Sequence, residues 1–454
     1  MADSVQDSPF SVNLPNFCGC HSSCELLSFI EKSCYGKRRF LPESGGFETE
    51  SEMTTRRSTK GARLLAPAGN MEKLKVAVAY GADEVYFGLN RFSLRNYAGN
   101  FSLEEAETAL QYLHQRNIPG YVTLNIYPFE NEYDDLLETA RQLEDMDADG
   151  IIVSDLGVID MLRQHEIRLP LHISTQANTL SPQTVMAYQR LGASRVNLAR
   201  ELSIAQIESL QQSISGIETE VFIHGAVCFS YSGRCAISDY TTGRRANRGE
   251  CTHPCRWQYT LIEKERPDEP MTAAEDDRGL YLFNSKDLAL FSFIPRLREA
   301  GVTAFKIEGR MKSIHYLASV LSLYRKIIDG QQISDDMAVQ QLERVMNRGY
   351  STGFMKGNVT PDDYRFHDNN TRGHSKFLGI VNATHPDGCE MDIRNRVEGK
   401  MDVEILTPEG ELMHRTLPEL LKDSDGGESP VLNHGKTLVL PFSLPEFTIL
   451  RKLE

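Results

Sequence analysis

The segment CFSYSGRCAISDYTTGRRANRGECTHPC, residues 228–255, sets four thiols on one stretch of a 454-residue chain. Cys228, Cys235, Cys251 and Cys255 are spaced C-x6-C-x15-C-x3-C, and only one other of the nine cysteines lies beyond residue 34. Thiolates are soft ligands. Four that converge suit tetrahedral zinc or an iron–sulfur cluster, and neither demands one particular spacing. The competing uses are reduced cysteines packed by chance, two disulfides, or one nucleophilic thiol partnered by His224 or His253. A reducing cytosol disfavours disulfides, and a single nucleophile would leave three thiols without a purpose.

The elements that must position this segment show in the rhythm that begins at residue 62. Short apolar runs alternate with helix-length amphipathic segments: RLLAPAG (63–69), EVYFG (84–88), YVTLNI (121–126), GIIVSD (150–155), LHISTQ (171–176), RVNLAR (195–200), EVFIHG (220–225) and AFKIEGR (304–310). Strand, helix, strand at this cadence predicts βα units and a parallel sheet. Seven strands by residue 225 and an eighth at 304 predict a closed (β/α)8, TIM-like barrel. A doubly wound open sheet competes, but its first turn, LLAPAGNMEK, lacks the G-x-G-x-x-G of a dinucleotide fold. Polar residues recur at the carboxyl ends of these runs: Asn125, Ser154 with Asp155, His172 with Gln176, Arg200, His224, and Glu308 with Arg310. In a barrel those ends form one mouth, where active sites sit. Asp155, just before LGVIDMLRQH, serves equally well as a helix cap.

Nearly 80 residues separate the seventh and eighth runs, far more than a usual βα connection, and the four cysteines open that insertion (226–300), the first of them four residues after His224. The expected organisation is a disordered extension over 1–60, the barrel with its insertion over 61–349, a linker over 350–375 and a small C-terminal β-barrel domain over 376–454. The last is read from alternation in KFLGIVNAT, MDVEILTP and KTLVLPF. Cys18, Cys20, Cys24 and Cys34 lie in the extension, with few apolar residues around them to enclose a metal. No apolar run reaches the roughly 18–20 residues that span a bilayer, and the first 20 residues lack a signal-peptide pattern, which predicts a cytoplasmic protein. A net charge of -14 argues against a protein that coats nucleic acid through non-specific phosphate contacts, but not against one that grips a folded RNA through a local basic patch. Neither H-E-x-x-H nor G-x-S-x-G occurs, so the common metallopeptidase and hydrolase signals are absent.

EVFIHGAVCFSYSGRCAIS (220–238) resembles the signature of the peptidase U32 family, the collagenase-like peptidases, at Glu220, Phe222, Gly225, Cys228, Gly233, Cys235 and Ser238. LLAPAGNMEKLKVAVAYGADEVYFG (64–88), HISTQAN (172–178), NLARELS (197–203), ECTHPCRW (250–257), NSKDL (284–288) and KIEGRMKS (306–313) are similar to the bacterial branch that hydroxylates tRNA. The resemblance implies an oxygen-independent hydroxylase forming 5-hydroxyuridine at the tRNA wobble position. It further implies a [4Fe-4S] cluster on Cys228, Cys235, Cys251 and Cys255, prephenate as co-substrate, and the tRNA anticodon loop as partner, with electron-transfer or cluster-assembly partners besides. The alternatives are a collagenase-like peptidase and a hydroxylase of ribosomal RNA. Under this reading Asn125, Gln176 and Asn178 are candidates to bond the uracil edge, and Arg200 and Arg310 to clamp a dicarboxylate. His172 and His224 are candidates for proton transfer. Glu308 is placed beside them, or anchors Arg310 or Lys306. Arg244, Arg245, Arg248 and Arg256 form the expected phosphate patch.

Overall fold

The computed structural model describes residues 61–94, 99–228, 230–257, 274–276, 279–281, 285–360, 363 and 371–454. The N-terminal extension and its four cysteines lie outside them. Eight strands alternate with helices: β1 (Arg63–Ala68), α1 (Met71–Ala79), β2 (Glu84–Gly88), α2 (Leu103–His114), β3 (Gly120–Leu124), α3 (Tyr133–Asp145), β4 (Gly150–Val153), α4 (Leu156–Gln164), β5 (Leu171–Ile173), α5 (Pro182–Arg190), β6 (Ala193–Asn197), α6 (Ile204–Gln212), β7 (Glu218–Gly225) and β8 (Ala304–Ile307). Each pairs in parallel with the next, and β8 pairs with both β7 and β1, so the barrel closes as the cadence predicts. Closure buries both faces of every strand, which is why the strands read as apolar runs. Outward residues such as Val85, Phe87 and Val122 join the main core, while Leu65, Tyr86, Tyr121 and Ile152 form a separate inner cluster.

Local chemistry sets the helix starts. Ser102 and Glu105 form a reciprocal capping box on α2, and Ser181 caps α5 with Pro182 in its first turn. The Asp155 carboxylate accepts from the Val158 amide and caps α4, so this strand-end acid is a cap.

After β7 the insertion carries α7 (Ile237–Thr242). The chain returns through a short strand, Asp287–Ala289, antiparallel to the end of β7, then α8 (Ile294–Glu299) and β8. Beyond β8, α9 (Ile314–Ile328) is buried on nearly every face. No described helix is long and apolar enough to cross a membrane.

The C-terminal strands correct the expected small β-barrel. They form an eight-stranded sheet in the order Leu412–Thr416, Asp402–Leu406, Ile449–Leu453, Ser375–His385, Gly388–Ile393, Thr437–Leu440, Leu421–Asp423, Glu428–Ser429, and among the described residues no pairing joins the first to the last. Alternation specifies half-buried strands but says nothing about whether the outer two meet. Here one edge is a largely exposed strand carrying His414 and Arg415 and the other is two residues long, both features that leave an edge unpaired. The sheet docks on the barrel's helices. Tyr80 of α1 donates to the carbonyls of Leu406 (2.9 Å) and Phe447 (3.1 Å), and Arg451 donates to Ser319 Oγ of α9 (2.8 Å).

Candidate active site

The barrel interior is charged below the mouth. Arg195 of β6 grips Glu84 of β2 through two parallel bonds of 2.7 and 2.9 Å and reaches Glu218 of β7 at 2.8 Å, while Arg63 adds a 2.9 Å contact to Glu84. A fork-to-carboxylate geometry of this kind is what lets buried charge persist. One layer nearer the mouth, Lys306 of β8 donates to Glu220 of β7 at 2.7 Å, and Asn197 donates to the same oxygen at 2.6 Å. The Lys306 ammonium lies 4.3 Å from the Tyr86 ring centroid; burial pushes its pKa down, and Glu220 pulls it back.

His172 stands in this interior with its ring centroid 4.4 Å from that of Tyr121. Burial, with Arg195 and Lys306 nearby, holds the imidazole well below the usual histidine range, so it works as a neutral donor and acceptor. Its Nδ1, Asn197 Oδ1 and Glu220 Oε2 are buried without a hydrogen-bond partner among the described residues.

At the mouth, the chain after β8 turns Arg310 back into the barrel. Its Nη1 donates to Ser93 Oγ (2.8 Å) and Thr123 Oγ1 (3.3 Å), and the residue is buried. A Cβ at Gly88 would sit 1.9 Å from that nitrogen, so the glycine that ends β2 is what admits the guanidinium. Asn125 accepts from the Leu94 amide (3.3 Å) and donates to Ser174 Oγ (3.4 Å). Gln176 and Asn178 follow β5 in a short turn, Asn178 in the left-handed region (φ 52°), and their side-chain oxygens are buried without a hydrogen-bond partner among the described residues. Asn125, Gln176, Asn178 and Arg310 thus all follow the carboxyl ends of barrel strands, whereas His172 lies within β5.

Two expected residues, His224 and Arg200, are placed otherwise, and the Lys306 anchor is not Glu308. The β7–β8 register shifts at Lys306/Ile307, which sets His224 opposite outward-facing Ile307 and turns its ring away from the mouth. The ring packs 5.5–5.7 Å from the centroids of Tyr316, Tyr324 and Tyr350, and burial drives its pKa down to about 3, so at neutral pH it is no proton carrier for the mouth. Glu308 receives the Tyr316 hydroxyl on its carbonyl, and the carboxylate that Lys306 meets at 2.7 Å is Glu220. Arg200 stacks 4.0 Å over Phe222 and donates to the Ala226 carbonyl (2.8 Å), which pins the start of the cysteine loop.

That loop is docked across the mouth. Ser232 bonds Glu201 through its amide (2.7 Å) and hydroxyl (3.1 Å). Gly233, at φ +74°, lies so close to Gln176 that a Cβ would fall 2.1 Å from its carbonyl oxygen. Arg248 bridges to Glu132 (2.6 Å), donates to the Tyr127 carbonyl (2.8 Å) and stacks 4.3 Å over Phe129, which holds the Glu132 carboxyl below the usual range. Arg248 is thus committed to holding the loop, whereas Arg244 and Arg245 are exposed; the Arg256 side chain lies outside the described residues. Cys228 is exposed, Cys235, Cys251 and Cys255 are half-buried, and no disulfide joins them. Four thiols supply the donor chemistry of a soft-metal or iron–sulfur centre. Among the described residues no three His, Cys, Asp or Glu side chains are grouped closely enough to hold a metal ion.

The profile of peptidase family U32 matches residues 69–364. The chain belongs to this family. Within it the chain is closely related to the bacterial tRNA hydroxylation protein P branch. It is 35% identical over 403 residues to tRNA hydroxylation protein P1 of Bacillus subtilis (strain 168), covering 87% of this chain and 93% of that protein. It is 33% identical over 424 residues to tRNA hydroxylation protein P of Escherichia coli (strain K12), covering 83% and 93%. A protein named collagenase, from Porphyromonas gingivalis (strain ATCC BAA-308 / W83), is 30% identical over 311 residues, covering 65% and 73%. Membership places the chain in an enzyme family.

The ionic layer under the mouth escapes motif reading. Its signal is period-two alternation: Glu84, Tyr86 and Gly88, or Arg195 and Asn197, occupy alternate positions of their strands and so share the inner face.

Proposed function

We propose that this chain is an oxygen-independent tRNA hydroxylase that forms 5-hydroxyuridine at the wobble position, with prephenate as co-substrate and a [4Fe-4S] cluster on Cys228, Cys235, Cys251 and Cys255. The observation that carries the reading is the four-cysteine loop fastened over a polar barrel mouth. The similarity to tRNA hydroxylation proteins over 93% of their length supports it. When bound, such a cluster supplies one-electron redox chemistry. Arg200 at Ala226, Gly233 against Gln176 and Arg248 on Glu132 keep the loop, with the four thiols that would hold the cluster, over the mouth.

The protein's own residues divide the remaining work. Arg310 offers a buried guanidinium to a carboxylate. Asn125, Gln176 and Asn178 offer amide groups to a uracil edge, and neutral His172 offers one nitrogen as donor or acceptor. An anticodon-loop uridine is single-stranded, so turning it into the mouth costs less than extracting a paired base. A peptidase reading, which the name of the collagenase relative raises, needs a base beside a thiol. His224, four residues from Cys228, is instead enclosed by three tyrosines.

Protein purified without oxygen is expected to be brown and to carry about four iron per chain. Cys251→Ala should lose that iron and leave the loop open to protease, because a missing thiolate removes folding energy that the metal supplies. Zinc in place of iron in anaerobic preparations would overturn the cluster assignment.

A further inference from the structure

Seven of the thirteen exposed large apolar side chains among the described residues follow the carboxyl end of a barrel strand, and so lie on the mouth side. Four of the seven are aromatic. Phe129 (49% exposed) follows β3, and Tyr231 (56%), Tyr240 (93%) and Trp257 (42%) all sit on the cysteine loop. Solitary exposed apolar residues need no explanation, but aromatic rings gathered at one face mark a binding surface. These rings also alternate with exposed arginines in a chain whose net charge is -14. Arg245 lies 4.9 Å from the Phe129 ring centroid, Arg244 is its neighbour, and Tyr240 belongs to the helix that leads into both.

Flat rings beside guanidinium groups have a specific complement. Unstacked bases lie on aromatic faces whatever their sequence, and arginine takes the phosphates between them. A duplex cannot use such a surface, because its bases are already stacked on one another. We infer that Tyr231, Tyr240, Trp257 and Phe129, with Arg244 and Arg245, form a stacking platform for the unpaired nucleotides that flank the target base. The inference rests on the tRNA reading above and adds what that reading lacks: a reason for the loop to prefer single-stranded RNA, and the side chains that hold it. The loop that carries the thiols is then also the loop that grips the substrate, and the two roles share one set of anchors.

Trp257 is the only tryptophan of the chain, so its fluorescence reports on this surface alone. Anaerobically prepared full-length protein should be titrated with an anticodon stem-loop RNA and with a fully paired RNA of equal length and charge. Tryptophan quenching and the anisotropy of labelled RNA are both read. The stem-loop is expected to quench Trp257 and to bind more tightly, and the duplex to do neither. Tyr240→Ala and Trp257→Ala should each weaken stem-loop binding at least about 5-fold, and Tyr240→Phe and Trp257→Phe should restore it, since any aromatic face stacks. Tyr240 is almost wholly exposed, so its replacement does not threaten the fold. Equal binding of both RNAs without quenching, or undiminished stem-loop affinity in a Tyr240→Ala, Trp257→Ala double variant, would overturn the platform; so would quenching by a protein partner and none by RNA. If tRNA from a deletion strain lacks 5-hydroxyuridine while the double variant still binds and modifies normally, the platform fails and the hydroxylase reading stands. If the modification never depended on this chain, the reading beneath the platform fails instead.

Discussion

Lys306→Met should destabilise the barrel by about 3–5 kcal/mol, because it leaves the Glu220 carboxylate buried without its cation. Glu220 is 2% exposed and Lys306 4%, so water does not reach the gap. What then remains for Glu220 is the Asn197 amide at 2.6 Å and Arg195 at 3.6 Å, and Arg195 is already held by Glu84 and Glu218. Methionine fills nearly the same volume as lysine, so the loss is electrostatic and leaves packing largely intact. Adding Glu220→Gln removes the stranded charge and should recover most of the stability. Urea unfolding of the two single variants and the double variant reads this as a coupling energy. Additive losses, with no recovery in the double variant, would mean that the pair is not the support of the inner layer.

Mild acid should unfold the protein well before its carboxylates titrate. His172, His224 and His315 are all buried, and burial is the leading cause that lowers each imidazole, His224 and His315 down to about 3. The folded values lie below the unfolded value of about 6.5. Between the two, a proton binds the unfolded chain and not the folded one, so stability is fully present above about pH 6.5 and falls as the pH drops through this window. Each ring contributes about 1.4 kcal/mol per pH unit, and three contribute about 4 kcal/mol per unit. Against a total stability of roughly 5–15 kcal/mol, pH 5 should bring the protein close to its unfolding transition. The urea midpoint measured from pH 7.5 to 5 follows this. His224→Gln should flatten the slope by about a third. Midpoints that do not move across that range would show that the three rings are not buried as neutral groups.

The sequence made the barrel legible because its information is local and repeated. Each apolar run and each helix-length segment could be read within its own window, and closure followed from counting strands. The C-terminal sheet was legible strand by strand but not as a closed or open object, because closure depends on two edges that are remote in sequence. Asn125, Gln176, Asn178 and Arg310 were legible only as polar residues that follow the ends of barrel strands. Strand-end position misleads for His224, because a single register shift between β7 and β8 reverses the face of that residue, and no pattern in EVFIHG announces it. Arg248 reads in sequence as one of the phosphate patch with Arg244, Arg245 and Arg256, because Glu132, which holds it, lies 116 residues away. The same distance problem hid the bond between Arg195 and Glu84, separated by 111 residues.

Mass spectrometry of total tRNA nucleosides from a deletion strain, complemented with the intact chain or with Cys251→Ala, tests the central claim most directly. 5-Hydroxyuridine and the nucleosides derived from it should disappear on deletion, return with the intact chain, and stay absent with Cys251→Ala. Unchanged levels of those nucleosides in the deletion strain, where no second hydroxylation route exists, would contradict that claim.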